Sequence, residues 1–304
     1  MTSRAKILSL VTILLLIANI SIGGYTFWDN HWPRAVSTER ISTYAEPEGP
    51  PYHFDYNWTR HFYIDHAMGG ILGDTYTNSY EAFLLNYQLG HRVFEVDFYL
   101  TIDDKTVAAH DGRSWAENAT FFHNGANTSQ SIDFSYDNFM SSLWHGKYHP
   151  LDLADVFKLM QKYPDIYVVT DTKFVDEESV RLQFNSLVMA ATEIDVTLLD
   201  RLIPQIYHEK MLDVIMDVYP WDSVIYTLYQ DPTWTPESVL AFSETSGVKL
   251  ITMPAASVTP EIAELWSTAG IKIAAHTVNN LGEVKYLQSL GVEAIYTDFL
   301  LPEL

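Results

Sequence analysis

Two histidines and two carboxylates have the types and the spacing that acid–base chemistry needs. His66 and His110 each stand at the end of a strand-like run, and Glu95 and Asp97 lie on a third run between them. Side chains alternate along a strand, so Glu95 and Asp97 point to the same face. A histidine titrates near neutral pH, so one imidazole can accept a proton while the other donates one. A single histidine at a strand end is more often structural than catalytic, but two beside a carboxylate pair are candidates for a catalytic role.

A buried pair of carboxylates needs a cation or hydrogen bonds to neutralise it. The strand-like run 166–172 supplies a third acid, because Asp171 and Lys173 share one face by the same alternation. Three carboxylates are hard oxygen ligands and suit one divalent cation, Mg²⁺ or Ca²⁺. The acids could instead form a surface cluster or an internal salt bridge with Lys173, and the residues alone favour that simpler interpretation.

Strand-like and helix-like segments alternate from residue 61 onward. Between the strands, apolar residues recur at helical spacing, as in the segment 80–87, with Asn78 as a candidate N-cap. Such alternation predicts a parallel sheet with helices packed on it. The nine strand-like runs are 61–66, 93–100, 106–110, 166–172, 202–207, 223–229, 249–253, 271–277 and 294–297.

A hairpin reduces these nine runs to eight barrel strands. Runs 93–100 and 106–110 are joined only by a short turn, whereas parallel neighbours need a long crossover. We therefore predict an α/β fold of the (β/α)8 TIM-barrel class over residues 61–304. The long excursion 112–150 would overhang the barrel mouth, where the strands end and active sites lie.

A series of short motifs follows His66 in a fixed order. They are N-S-Y-E-A-F at 78–83, E-V-D at 95–97, T-I-D at 101–103 and V-A-A-H-D at 107–111. In this order and spacing, the stretch from His66 to Asp111 resembles the glycerophosphodiester phosphodiesterase family. The resemblance implies a metal-dependent enzyme that hydrolyses glycerophosphodiesters to glycerol 3-phosphate and an alcohol, with His66 and His110 as its acid–base pair. It does not say which histidine is the base.

The resemblance also implies the metal ligands. It aligns the family's E-I-K strand with the D-T-K of residues 171–173. Asp171 then joins Glu95 and Asp97 as a ligand of one Mg²⁺ or Ca²⁺, in the place of the usual glutamate. With the resemblance, metal binding is favoured over a structural acid cluster.

Three further residues are candidate contacts of the phosphate or the substrate. Lys173 can neutralise a phosphate oxygen as a point charge. Gln205 lies at the end of a strand-like run and would face the mouth. His276 replaces the tryptophan of the family's W-T-V-N strand, and it either lines the pocket or packs in the core.

Two departures from the family keep other functions open. The arginine that usually follows the first histidine is Ala67, and Asp171 is similar to the D-x-K strand of the related sphingomyelinase D enzymes. A second interpretation is therefore a phospholipase D-like or sphingomyelinase D-like lyase acting on lysophospholipids or sphingomyelin. A third is a barrel that binds headgroups without catalysis.

Composition excludes several classes of function. The chain has 304 residues, no cysteine and a net charge of -21. The acidic balance argues against nucleic acid as a partner, because binding phosphate by charge needs a basic surface. Without cysteine there is no disulfide, thiolate metal site or cysteine nucleophile. The partner that the resemblance implies is a small phosphodiester or a lysophospholipid.

The N-terminal residues have the pattern of a targeting segment. Arg4 and Lys6 precede an uncharged apolar run from 7 to about 24. We interpret residues 1–24 as a signal peptide or a membrane anchor, and 25–60 as an irregular extension rich in aromatic residues and proline. The barrel is then expected outside the cytoplasm, either secreted or held at the membrane by the N-terminal segment if it is not cleaved.

Overall fold

The computed structural model describes residues 50–121 and 133–302. The predicted targeting segment, most of the extension 25–60 and the centre of the excursion 112–150 therefore lie outside the described residues. Within them the chain forms eleven strands: β1 (Tyr63–Asp65), β2 (Val93–Leu100), β3 (Thr106–Ala108), β4 (Ala119–Phe121), β5 (Ser142–Trp144), β6 (Tyr167–Asp171), β7 (Leu202–Ile206), β8 (Ile225–Thr227), β9 (Leu250–Pro254), β10 (Lys272–His276) and β11 (Ala294–Thr297).

Eight of these strands close a parallel barrel. The order around it is β1, β11, β10, β9, β8, β7, β6 and β2, and β2 returns to β1 where Asp65 pairs with Phe94. Strand β3 runs antiparallel to β2, with Ala108 opposite Phe98. The predicted (β/α)8 barrel and its extra hairpin strand are thus confirmed. Strands β4 and β5 form a separate antiparallel pair within the excursion 112–150.

Helices connect the strands and pack outside them. Their starts follow cap chemistry: the Ser79 side chain accepts a hydrogen bond from the Ala82 N–H, and Pro260 occupies the first turn behind the Thr259 cap. The helices are α1 (Tyr80–Gln88), α2 (Gly112–Asn118), α3 (Tyr136–Met140), α4 (Leu153–Lys162), α5 (Glu177–Ile194), α6 (Glu209–Val218), α7 (Pro236–Ser246), α8 (Pro260–Thr268) and α9 (Leu281–Ser289). None of the described helices combines the length and the apolar composition that a membrane span requires.

An apolar layer fills the lower part of the barrel interior. Each of the eight barrel strands contributes at least one buried side chain to it, and β11 contributes two. Tyr56 and Trp58 pack against the layer from below and are fixed by hydrogen bonds to Val224 O (3.1 Å) and Ser223 Oγ (2.9 Å). The strand residues are Ile64, Val93, Val169, Ile203, Ile225, Leu250, Ala274, Ala294 and Tyr296.

The alternation along β2 separates its two faces as predicted. Phe94, Val96 and Phe98 belong to the outer core beneath the helices. Val93 lies in the inner apolar layer, so Glu95 and Asp97 follow it on the inner face, closer to the carboxyl end of the barrel. The fold therefore seals the barrel floor with apolar groups and directs these acids toward the mouth.

Candidate active site

Three carboxylates converge at the carboxyl end of the barrel. Glu95 and Asp97 come from β2, and Asp171 ends the neighbouring strand β6, where it pairs in register with Asp97. One oxygen of each acid lies within 4.8 Å of the others. All three are buried, with Asp97 fully enclosed. The fold thus brings together the three residues that the sequence suggested as metal ligands.

Lys173 lies against the same cluster. Its Nζ is 2.6 Å from Asp97 Oδ1 and also donates a hydrogen bond to Asp171. The backbone N–H of Lys173 donates to the Tyr207 hydroxyl at 3.0 Å, which fixes the start of the side chain. Burial alone would lower the pKa of Lys173, but Asp97 and Asp171 raise it well above its ordinary value. A permanent positive charge therefore faces the acids.

Hydrogen bonds hold each carboxylate in place. Glu95 Oε2 accepts the Ala67 backbone N–H at 2.7 Å. Asp97 is held twice by Asn78, whose Nδ2 donates to Asp97 Oδ2 (2.8 Å) while its Oδ1 accepts the Asp97 N–H (3.0 Å). Tyr229 donates to Asp171 Oδ1 at 3.0 Å, and the Tyr207 hydroxyl donates to the same oxygen.

The donor set fits one divalent cation. Glu95 Oε1 is buried and has no hydrogen-bond partner among the described residues. Burial and the charge of Asp97 raise the pKa of Glu95 above its ordinary value, so the three acids with one lysine still lack positive charge. Buried carboxylate oxygens in this arrangement are the ligands that Mg²⁺ and Ca²⁺ prefer.

His66 follows β1 and is held by an acid from the other end of the chain. Its Nδ1 is 2.9 Å from Asp298 Oδ1, and Asp298 Oδ2 accepts a hydrogen bond from Asn279 Nδ2 at 2.7 Å. Burial disfavours the charged imidazole, but Asp298, Glu95 and Asp97 outweigh it and raise the pKa of His66 to about 9. With Nδ1 engaged, Nε2 is the nitrogen available for proton transfer.

His110 has the same kind of support. Its Nδ1 is 2.7 Å from Asp111 Oδ2. Asp111 is fixed in turn because its Oδ1 accepts the Ser114 N–H at 2.6 Å and caps helix α2. Each histidine therefore has one ring nitrogen occupied by an aspartate, which leaves the opposite nitrogen for chemistry.

Both histidines line one cavity of about 170 Å³ at the barrel mouth. Gln205 is buried there, and its Oε1 accepts a hydrogen bond from the Tyr296 hydroxyl at 3.3 Å. Burial lowers the pKa of His276 to about 4, so that imidazole is neutral. Of the eight residues predicted for the site, the cavity is lined by His66, Glu95, His110, Asp171, Lys173, Gln205 and His276, with Asp97 bonded to Lys173 below.

Three larger cavities, of about 550, 580 and 630 Å³, lie elsewhere on the described part of the barrel. None of the eight predicted site residues lines any of them. Cavity volume alone would therefore select a cavity that contains none of the predicted site residues. The buried acids, the lysine and the paired histidines identify the smaller cavity as the candidate active site.

Six residues of this site were not anticipated from the sequence in these roles. Asp298 and Asn279 follow strands β11 and β10, so the rule that strand ends carry function could have found them. No local pattern marks the others as parts of a site. The six are Tyr76, Asn78, Tyr207, Tyr229, Asn279 and Asp298.

Comparison with solved structures agrees with the fold. A candidate glycerophosphoryl diester phosphodiesterase from Silicibacter pomeroyi is 18% identical, with a TM-score of 0.61, over 83% of this chain and 92% of its own. A glycerophosphodiester phosphodiesterase from Parabacteroides distasonis is 16% identical, with a TM-score of 0.60, over 78% and 92%. An Oleispira antarctica phosphodiesterase, solved with its product sn-glycerol-3-phosphate, is 16% identical, with a TM-score of 0.58, over 78% and 92%.

No curated protein sequence matches the chain significantly. The structural similarities, all below 20% identity, establish the shared fold. The sequence model of the glycerophosphoryl diester phosphodiesterase family, in contrast, matches residues 70–301, which is most of the chain. The chain therefore belongs to the glycerophosphoryl diester phosphodiesterase family and is an enzyme of that type.

Proposed function

We propose that the enzyme hydrolyses glycerophosphodiesters to glycerol 3-phosphate and an alcohol, with one divalent cation and the His66–His110 pair. One observation carries the proposal. The two histidines, each with Nδ1 on an aspartate, line one cavity together with Glu95 and Asp171, which form a buried cluster of three carboxylates with Asp97. Family membership supports the glycerophosphodiester substrate, and the related Oleispira enzyme was solved with sn-glycerol-3-phosphate as its product.

Glu95, Asp97 and Asp171 would hold the cation, Mg²⁺ or Ca²⁺. When bound, it supplies positive charge to a phosphoryl oxygen and acidifies a coordinated hydroxyl or water. The chain's own contribution is to fix the ligands before binding. Asn78 restrains Asp97 through two hydrogen bonds, and Tyr229 restrains Asp171 through another.

The two imidazoles divide the proton transfers. One Nε2 accepts the proton of the attacking hydroxyl or water, and the other protonates the alkoxide that leaves. Asp298 and Asp111 hold the Nδ1 atoms of His66 and His110, so each ring directs its Nε2 atom, and not Nδ1, toward the substrate. The structure supports this division without assigning which histidine is the base.

Three side chains are suited to hold the substrate. Lys173, which stays protonated beside Asp97 and Asp171, faces the position of a phosphoryl oxygen as a point charge. The Gln205 amide donates from the cavity wall, and neutral His276 offers a ring nitrogen.

The second candidate is a sphingomyelinase D-like lyase. It is favoured by one structural detail: Ala67 is fully buried and contacts Glu95 through its backbone N–H, so position 67 supplies no guanidinium to the phosphate. Asp171 on its D-x-K strand is a second feature that points the same way. A lyase would release a cyclic phosphate, because a hydroxyl of the substrate attacks its own phosphorus atom. A non-catalytic barrel is disfavoured, since a barrel that only binds has no need of an aspartate behind each histidine.

Three substrates and two conditions test these alternatives. The full-length protein in mild detergent would be assayed on glycerophosphocholine, lysophosphatidylcholine and sphingomyelin, first with a chelator and then with Mg²⁺ or Ca²⁺ restored. We expect glycerophosphocholine to give glycerol 3-phosphate and choline only when metal is present. A cyclic phosphate product, seen by ³¹P NMR, would select the lyase. A cleavage rate that is the same with the chelator as with Mg²⁺ or Ca²⁺ would contradict the metal-dependent mechanism.

We also propose that the barrel lies outside the cytoplasmic membrane. The basis is the pattern of Arg4, Lys6 and the apolar run 7–24, which can direct export and, if uncleaved, contact the membrane. Fusions of residues 1–60 to a reporter active only after export, and to one active only in the cytoplasm, would decide the matter. Activity confined to the cytoplasmic reporter would refute the assignment.

A further inference from the structure

One tyrosine ring lies between the two histidines of the site. The centroid of the Tyr76 ring is 4.6 Å from that of His66 and 5.1 Å from that of His110. It stands nearly perpendicular to both, at 80° and 79°. Among the described residues, Tyr76 is the only aromatic side chain in contact with both imidazoles. It is 41% exposed, at the mouth of the cavity.

The backbone at Tyr76 adopts a costly conformation. Its φ is 57°, in the left-handed region that residues with a side chain rarely adopt. Such conformations persist where the surrounding structure fixes them, and they concentrate at functional sites. The loop before α1 contains several of them, which makes the placement of the Tyr76 ring a specific property of this loop.

Contacts on both sides anchor that loop. Two residues after Tyr76, the Asn78 side chain bonds both the backbone and the carboxylate of Asp97. Two residues before it, Asp74 Oδ2 accepts the Tyr148 hydroxyl at 2.7 Å. The ring is therefore tied to the carboxylate cluster through one neighbour and to the excursion 112–150 through the other.

We propose that Tyr76 is a positioning residue for both imidazoles, a role that rests on the proposed function. An imidazole held only by its Nδ1 hydrogen bond can still tilt about that bond. Contact with a third, fixed ring removes this freedom for His66 and His110 together. Proton transfer to a bound phosphodiester needs the two Nε2 atoms held to within a fraction of an ångström, so this second constraint supports turnover.

The aromatic ring, and not the hydroxyl, carries the proposed role. The Tyr76 hydroxyl has no hydrogen-bond partner in residues 50–121 and 133–302, whereas its ring meets both histidines. Phenylalanine should therefore replace tyrosine at this position, and alanine should not. Two other roles predict different results: an acidic hydroxyl would be lost in phenylalanine, and an aromatic surface for a quaternary ammonium group would matter only for choline esters.

Three variants of the full-length enzyme test the proposal. Tyr76→Ala removes the ring, Tyr76→Phe keeps it, and Leu72→Ala is the matched control. Leu72 lies in the same loop with φ 53° and is 84% exposed. Thermal unfolding of each variant would first establish that it folds. Steady-state kinetics would then use glycerophosphocholine, glycerophosphoethanolamine and glycerophosphoglycerol with Mg²⁺.

We expect Tyr76→Ala to lower kcat by about 10- to 100-fold for all three substrates, with KM changed less than about threefold. Tyr76→Phe and Leu72→Ala should stay within about twofold of the parent. Equal losses in Tyr76→Phe and Tyr76→Ala would assign the effect to the hydroxyl, and a rise in KM confined to the choline ester would assign it to headgroup binding. Full activity of Tyr76→Ala would also overturn the proposal.

A second measurement does not depend on turnover. In NMR spectra, the ring signals of His66 and His110 should shift and broaden in Tyr76→Ala and remain sharp in Tyr76→Phe. Unchanged signals in Tyr76→Ala would refute the positioning role whatever the enzyme cleaves. If the signals respond but the parent cleaves no glycerophosphodiester, the proposed function fails while the ring contacts stand.

Discussion

His66 and Asp298 are separated by 232 residues, yet His66 Nδ1 lies 2.9 Å from Asp298 Oδ1. Closure of the barrel explains the contact. Strands β1 and β11 pair in parallel with Asp65 beside Thr297, so the residues that follow these two strands meet at the mouth. The first and last barrel strands thus assemble half of the proposed acid–base pair.

Asp298→Asn should lower the pKa of His66 and slow turnover. The imidazolium loses the negative charge that helps raise its pKa to about 9, so we expect the pKa to fall toward the ordinary 6.5. An amide can also select the other ring tautomer, and kcat should fall by about 100-fold. NMR titration of the His66 ring measures the first effect and steady-state kinetics the second. Asp217→Asn, at an acid exposed on helix α6, should change neither.

The raised pKa of His66 makes a prediction about stability. Folding raises that pKa from its ordinary 6.5, so the protonated ring stabilises the fold fully below about pH 6.5 and this contribution is lost as the pH rises through about 9. Parent and His66→Gln would be unfolded with urea in the presence of a chelator. The difference in their free energies of unfolding should shrink by about 1–3 kcal/mol between pH 6 and pH 10. A difference that is constant with pH would contradict the shift.

Sequence patterns predict much of the site because the relevant residues lie on strands. Alternation places Glu95 and Asp97 on one face, and β2 and β6 are neighbours in register, so Asp171 arrives beside Asp97. The strand-end position of Asp298 was available from the sequence, but its pairing with His66 was not, because that contact is known only once β1 and β11 close the barrel. Local periodicity carries no information about that pairing.

Asn78 shows a different limit of sequence reading. The helical pattern suggested it as the N-cap of α1, but Ser79 caps the helix, and the Asn78 amide bonds Asp97 instead. Capping the helix and bonding Asp97 both need a short polar side chain, and the two residues that do so are neighbours, Ser79 and Asn78. Helix ends are defined only to within one or two residues, so the sequence pattern does not distinguish these neighbours. Tyr76 was missed for a related reason, because a loop residue with a left-handed backbone conformation produces no periodic pattern in the sequence.

Divalent metal should stabilise the enzyme through the three acids. A cation at about 100 times its dissociation constant adds about 2.7 kcal/mol to the free energy of unfolding. We expect the melting temperature to rise when Mg²⁺ or Ca²⁺ is added to chelator-treated protein, and the rise to vanish in Asp97→Asn. Asp217→Asn should keep it. A metal-induced rise of equal size in Asp97→Asn would place the cation elsewhere.

Asp171→Asn tests the acid that departs from the family pattern. Asp171 pairs with Lys173 and accepts hydrogen bonds from Tyr207 and Tyr229, so the amide loses both charge and acceptor capacity. We expect metal affinity to fall by at least tenfold, as measured by calorimetric titration, together with activity. Unchanged affinity would leave Glu95 and Asp97 as the only protein ligands and assign Asp171 to the salt bridge alone.

His110→Ala should lower turnover by about 10²- to 10⁴-fold, the usual contribution of a positioned acid or base. The fold should survive, because the imidazole contacts Asp111 and Tyr76 at the mouth and is no part of the buried core. Metal-induced stabilisation should also survive, since His110 is not a proposed ligand. His145→Ala is the matched control, because His145 is an exposed histidine of the excursion 112–150 that does not line the cavity. If the two variants lose activity equally, or if His110→Ala keeps full activity on every phosphodiester that the parent cleaves, the two-histidine mechanism is wrong.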